Sequence, residues 1–226
     1  MSYVLFVVAS IAEYIGTFAV MFTLFRFPYN RDFLVKIALI AVLMSQVSYF
    51  TRLVPEIGSL TTFIQFPIFI AIFWLLFRVP MWHSLWINFA GLAVAFIVPI
   101  ASVLAVSSTS GITLTQINES PTLQFAFQLL SAVLQIAIAR TIYIRNWGFD
   151  WVPSDRRVYT PFTRSSAVIT ALVAFGLVLA LVLTAIFRHN FEDYIVLVGC
   201  VFLVTLPTFI FFAIRKDEEH AAESSD

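Results

Sequence analysis

Seven stretches of this sequence meet or approach the length and apolarity needed to cross a bilayer, and that pattern leaves few folds open to the chain. A helix needs about 20 mainly apolar residues to traverse a hydrocarbon layer of roughly 30 Å. Stretches that meet or approach this length run from Tyr3 to Phe25, Leu34 to Thr51, Leu60 to Phe77, His83 to Ser107, Ser120 to Ile144, Arg164 to Phe187 and Glu192 to Ile214. Composition agrees, with 61% hydrophobic and 12% charged residues against roughly 45–50% and 25% in soluble chains. The expected fold class is an all-α integral membrane protein: seven transmembrane helices within residues 1–214, then a disordered acidic cytoplasmic tail over 215–226. The second and third spans are the shortest. Between them Arg52-Leu53-Val54-Pro55-Glu56-Ile57-Gly58 supplies a charge pair, a proline and a glycine, which end one helix and turn the chain. No basic residue precedes Arg26, so the amino terminus lacks the basic region of a cleavable signal peptide and is expected to remain as the first helix.

Lys and Arg concentrate on the cytoplasmic side of membrane proteins, and here they fall on alternate sides of the spans. With the amino terminus outside, the inner segments hold Arg26, Arg31, Lys36, Arg78, Arg140, Arg145, Arg156, Arg157, Arg164, Arg215 and Lys216, and the outer ones hold Arg52 and Arg188. The carboxyl terminus is then cytoplasmic, and the expected location is the cytoplasmic membrane of a bacterial cell, crossed several times.

Several chemistries lack the residues they need. Zero net charge argues against a nucleic-acid partner. The single cysteine, Cys200, excludes an internal disulfide and a Cys-based zinc set, and its apolar surroundings predict a buried, inert thiol. The only lysines, Lys36 and Lys216, lie at segment ends, where neither holds retinal. Three histidines at or beyond the span ends give no base for intramembrane proteolysis, and seven scattered glycines form no phosphate-cradling loop. No cofactor or metal and no catalytic residues are expected, and the chain is read as a non-enzyme.

Polar residues within the spans carry the functional signal. Glu13 is the one carboxylate at mid-membrane and should be neutral or paired, with no basic residue expected at its depth. On the fifth span Gln124, Gln128, Ser131 and Gln135 recur at i, i+4, i+7 and i+11, one helical face that lipid does not tolerate. With Gln46 and Gln65 at similar depth, and Ser45 and Ser48 beside them, this face is expected either to line an outward-facing polar vestibule or to join helices by hydrogen bonds. Asn88, near the inner end of the fourth span, is expected only to join helices. Pro67, Pro99 and Pro207 bend three spans. In the inner loop, Trp147, Trp151, Arg156 and Arg157 suit contact with lipid headgroups or a cytoplasmic partner.

The run Leu24-Phe25-Arg26-Phe27-Pro28-Tyr29, then Gln46-Val47-Ser48-Tyr49 with Arg52, then Gln65 with Trp74-Leu75-Leu76-Phe77-Arg78, resembles a pattern in small uncharacterised bacterial polytopic membrane proteins. It is also similar to the membrane-sensor half of peptide-pheromone histidine kinases of the Agr type. The resemblance implies a helical bundle that recognises a secreted peptide or lipid-like signal on its outer side. The kinase part of that family has no counterpart here, so output would pass to a signalling partner. The expected function is a sensor-like or accessory protein; a small transporter or permease-like subunit is the alternative, and a membrane-embedded enzyme the third.

Overall fold

A computed structural model of the chain describes residues 3–54, 58–112, 116–117, 120–152, 162–187 and 191–223. Among them are seven main α-helices and no strand: α1 (Tyr3–Leu24), α2 (Arg31–Arg52), α3 (Thr61–Leu76), α4 (Met81–Ser110), α5 (Pro121–Ile144), α6 (Arg164–Phe187) and α7 (Phe191–Glu223), with a 3₁₀ turn over Gly58–Leu60. Six are long and apolar enough to cross a membrane, as befits a multi-pass membrane protein; α3, at 16 residues, is apolar but shorter.

Local chemistry explains the helix ends. Asn30 caps α2 by accepting from the Phe33 amide at 2.8 Å, with Asp32 in the first turn and Arg52 in the last, where the helix dipole favours each charge. Ser120 caps α5 and Pro121 follows it, in the first turn where its missing N–H costs nothing. Gly111, at φ +70°, ends α4 in the left-handed conformation that a side chain resists. Arg26 and Asn146 also have positive φ. After them, the Phe27 amide reaches the Phe22 carbonyl and the Trp147 amide the Ile142 carbonyl, both at 2.9 Å, closing the C-terminal turns of α1 and α5.

Packing places α4 at the centre, in contact with α1, α3, α5, α6 and α7, while α1 lies closely along α5. Association within lipid draws on close packing rather than on removal of apolar surface from water. Small residues sit at the seams accordingly: Gly16 faces Ala132 between α1 and α5, and Gly176 packs against Phe89 and Thr205. Phe22 stands at the centre of a ring cluster, 4.5 Å from Phe33, 5.2 Å from Phe27 and Phe73 and 5.3 Å from Phe77. Leu39, Val133, Phe175, Val204 and Phe211 are exposed on the flanks, an apolar surface suited to lipid.

Two expectations are corrected. Cys200 is exposed on the flank of α7 rather than buried, because the apolar run around it is one turn of a lipid-facing stripe as well as of the core. Residues 215–223, expected to be without structure, continue α7, while 224–226 lie outside the described residues. The polar extension has partners. Glu219 accepts from Ser165 at 2.7 Å, and Asp217 accepts from the Asp150 amide at 2.9 Å.

Candidate ligand-binding cavity

A cavity of about 550 Å³ opens among α1, α3, α4 and α5 in the half of the bundle that holds the α2–α3 turn. Along α1 it runs from Ser10 to Met21, roughly 16 Å of helix axis. Five of the seven residues proposed for ligand binding line or adjoin it as one group: Glu13, Gln65, Gln124, Gln128 and Ser131. The stripe on α5 therefore does face inward. Its wall is mixed, with Phe66, Phe69, Phe96 and Phe127 between the polar groups.

Each polar residue has a distinct state. The Tyr14 hydroxyl donates to Gln65 Oε1 at 2.8 Å and lies beside Ser48, and Gln65 Nε2 reaches the Met44 carbonyl at 3.5 Å. Those bonds fix Gln65 in the wall. The Ser102 and Ser131 hydroxyls are 3.4 Å apart and join α4 to α5. Gln128 differs, because its Oε1 is buried in the cavity wall and accepts no hydrogen bond. An acceptor so placed is costly unless something donates to it. Glu13 is half-buried, and among the described residues it makes neither a hydrogen bond to the stripe nor a contact ion pair.

Three sequence expectations need correction. Gln46 does not join the cavity; it lies at the α1–α2 seam and accepts from the Tyr3 hydroxyl, because its helix is rotated to present it to Tyr3. Gln135 is buried below the cavity lining, where Oε1 accepts from Thr17 at 2.9 Å and Nε2 has no partner. It is an interhelical bond beneath the vestibule. Glu13 is also not remote from positive charge. Arg52 lines the same cavity, its long side chain carrying the guanidinium over the Phe6 ring, 5.4 Å from the centroid.

Sequence reasoning missed Asn88 and Thr17 as cavity residues. Asn88 bonds the Ser84 carbonyl of its own helix at 2.7 Å, so it joins no neighbour, yet it lines the cavity floor. Pro99 is a further wall residue, and its missing N–H leaves the Ala95 carbonyl, also in the wall, without its usual helical donor.

At the opposite end of the bundle the expected docking loop is divided. Trp147 is 60% exposed with Arg145 over its ring, but Trp151 is only 3% exposed, so it is not available to lipid or a partner. It is held in an aromatic cluster with Trp86 and His83, and the Lys216 ammonium lies 4.2 Å from the Trp86 ring and 4.7 Å from the Trp151 ring. Lys216 also donates to Ser166 Oγ at 2.7 Å. Arg156 and Arg157 lie outside the described residues. Among the described residues no group of His, Cys, Asp and Glu is arranged to hold a metal.

No family model, curated protein or solved structure matches the chain.

Proposed function

We propose that the chain is a receptor-like or accessory membrane protein that recognises a peptide or lipid-like ligand in this cavity and releases it unchanged. The observation that carries this reading is the cavity itself: about 550 Å³, Phe-rich, with Gln128 Oε1 unpaired in its wall and Glu13 and Arg52 within it. A mostly apolar concavity with a few convergent polar groups is the usual form of a small-ligand site. Amides and hydroxyls without an aligned nucleophile and base suit recognition better than turnover.

The same proposal includes seven crossings, with the amino terminus and the cavity mouth outside and the carboxyl terminus in the cytoplasm. The sixteen residues of α3 rise about 24 Å, a mismatch that local thinning of the bilayer accommodates at modest cost. Arg26, Arg31, Arg78, Arg145 and Arg164 lie at the ends of helices on the side away from the cavity mouth, and Arg215 lies in the polar extension of α7 on that side, which supports placing that side inward. Exposed Trp147 then sits where a signalling partner or headgroups would meet it.

The test of recognition is to reconstitute the protein in lipid and measure binding of peptide and lipid fractions from the producing cell's medium. Wild type should bind a component that Gln128→Leu binds at least tenfold more weakly; no binding by wild type would reject the reading. The depth of the cavity, from Ser10 past the midpoint of α1 to Met21, also favours a second reading as a transporter subunit. Vectorial uptake into sealed vesicles that Glu13→Gln abolishes would replace recognition by transport. For orientation, cysteines introduced at Thr113 and Ser154 in a Cys200→Ser background should label from opposite sides with an impermeant thiol reagent, and labelling from one side would refute seven crossings.

A further inference from the structure

We propose that the cavity takes a single-chain amphiphile with an uncharged polar head, the head toward the α2–α3 turn and the chain toward Met21 and Phe69. The proposal rests on the cavity being a ligand site and specifies the ligand's chemistry. The order of polarity along the lining carries it. On α1 the lining residues are Ser10, Glu13, Tyr14 and Thr17, then Phe18 and Met21. On α3 they are Thr61, Thr62 and Gln65, then Phe66 and Phe69. The two helices run in parallel: the Tyr14 hydroxyl bonds Gln65 at 2.8 Å, the Phe18 ring lies 5.6 Å from that of Phe69, and the Phe22 ring 5.2 Å from that of Phe73. The two gradients therefore coincide, and the cavity has a polar half beside the turn and an apolar half beyond it.

The apolar half suits the end of a hydrocarbon chain. Leu92 and Phe96 of α4 extend it. Met21, the last residue of α1 in the lining, lies against Gly91, where an added β-carbon would stand 2.2 Å from the Met21 sulfur. A flexible thioether makes an end wall that adapts to what it meets. Asn88 is the polar residue of this half, and its Nδ2 is already given to the Ser84 carbonyl at 2.7 Å. A peptide carries polar backbone groups along its whole length and would leave those in the apolar half without partners, at a cost that an alkyl chain does not incur. In the polar half, Arg52 is exposed and Glu13 makes no contact ion pair among the described residues. The neighbouring hydroxyls and amides both donate and accept, so they match an alcohol or amide head without the cost of enclosing a charge. The volume of about 550 Å³ lies inside the range of roughly 300–1,000 Å³ typical of small-ligand pockets.

The test uses the full chain in phosphatidylcholine nanodiscs with decanoyl and dodecanoyl monoglycerides that carry a diazirine at the chain end. On irradiation the decanoyl probe should crosslink to Met21, Phe69 or Leu92. Excess unlabelled decanoyl monoglyceride should lower that product at least tenfold, whereas decane or glycerol alone should not. Met21→Ala, which opens the end wall, should move the preference from the decanoyl to the dodecanoyl probe; an unmoved preference in folded variant overturns the placement of the chain end. Crosslinks confined to the lipid-facing flank, at Leu39 or Val133, overturn the proposal, as does competition by decane equal to that by the monoglyceride. Exclusion of the probes from protein that does bind a peptide fraction of the producing cell's medium also overturns it, while leaving the cavity a ligand site. Binding of neither overturns both. Where Met21→Ala fails to fold, the crosslinks and competition on wild type decide.

Discussion

Replacing Gly16 by alanine should destabilise the bundle, and the local geometry gives the size of the effect. A methyl group on Gly16 would sit 2.8 Å from Gln135 Oε1, 3.1 Å from Gln135 Cβ and 3.0 Å from the Ala132 carbonyl oxygen. The amide end can swing aside, but the Ala132 oxygen belongs to the backbone of α5 and moves only if the helices separate. Overpacking of this kind costs about 1–3 kcal/mol, while restricting the unfolded chain by removing a glycine returns roughly 0.4–1 kcal/mol. The net loss should be about 1–2 kcal/mol, a factor of roughly 5–30 in the unfolding equilibrium. Gly91 provides the control. Its added methyl would meet Met21 Sδ and Cγ, side-chain atoms that a change of rotamer can move, with no backbone atom in the way, and displacing that chain costs about 0.5–1.5 kcal/mol. The same chain-entropy gain offsets most of this, so Gly91→Ala should be close to neutral. Equilibrium unfolding by dodecyl sulfate in mixed micelles measures both variants. If Gly16→Ala proves as stable as wild type, or no less stable than Gly91→Ala, the rigidity assigned to the α1–α5 seam is wrong.

Gln135→Leu should change stability by no more than about 0.6 kcal/mol, the average worth of an interhelical hydrogen bond in a membrane, because it removes an unpartnered amide N–H as well as the bond from Thr17. Gln135→Ala should cost about 2 kcal/mol or more by opening a void beside Gly16; equal losses for the two would show that the amide bond, not the packing, matters. Lys216→Met should cost about 1–2 kcal/mol by removing a partly desolvated cation from the Trp86 and Trp151 faces, with a shift in tryptophan emission; an unchanged spectrum and stability would refute the cluster. Asp150→Asn, which breaks the exposed pair with Arg26, should cost under about 1 kcal/mol and less at high salt, as followed by the same unfolding titration.

Much of this arrangement was legible in the sequence because lipid imposes strict periodicities. The boundaries of α6 fall at Arg164 and Phe187 as expected, and α1 ends one residue early, because charge and proline clusters leave an apolar helix nowhere else to stop. The spacing of Gln124, Gln128 and Ser131 fixed their face, and counting residues along each span brought Glu13 and Gln65 to the same region. What periodicity does not carry is the rotation of a helix whose polar residues, Ser45, Gln46 and Ser48, are clustered rather than spaced along one face, so Gln46 was grouped with the vestibule candidates when it faces Tyr3. Counting also locates a Cα rather than the end of a long side chain, which hid that Arg52 lines the same cavity as Glu13. Trp151 was illegible for a third reason. Its segment folds back on the bundle through the Phe149 amide, which reaches the Leu24 carbonyl at 2.8 Å, and nothing local in the sequence marks that return.

The walls of the cavity differ in compliance. On one side α1 is keyed to α5 by the Gly16–Ala132 approach and the Thr17–Gln135 bond, a stiff backstop. On the other, α3 leans chiefly on α2 and α4, is the shortest helix, and is interrupted by Pro67, which leaves the Phe63 carbonyl without its helical donor. Load applied from within the cavity is therefore taken up by displacement of α3. Its far end carries Phe73 and Phe77, which pack against Phe22 and Phe33, so that α3 works as a lever between the cavity and the aromatic cluster at the basic end of the bundle.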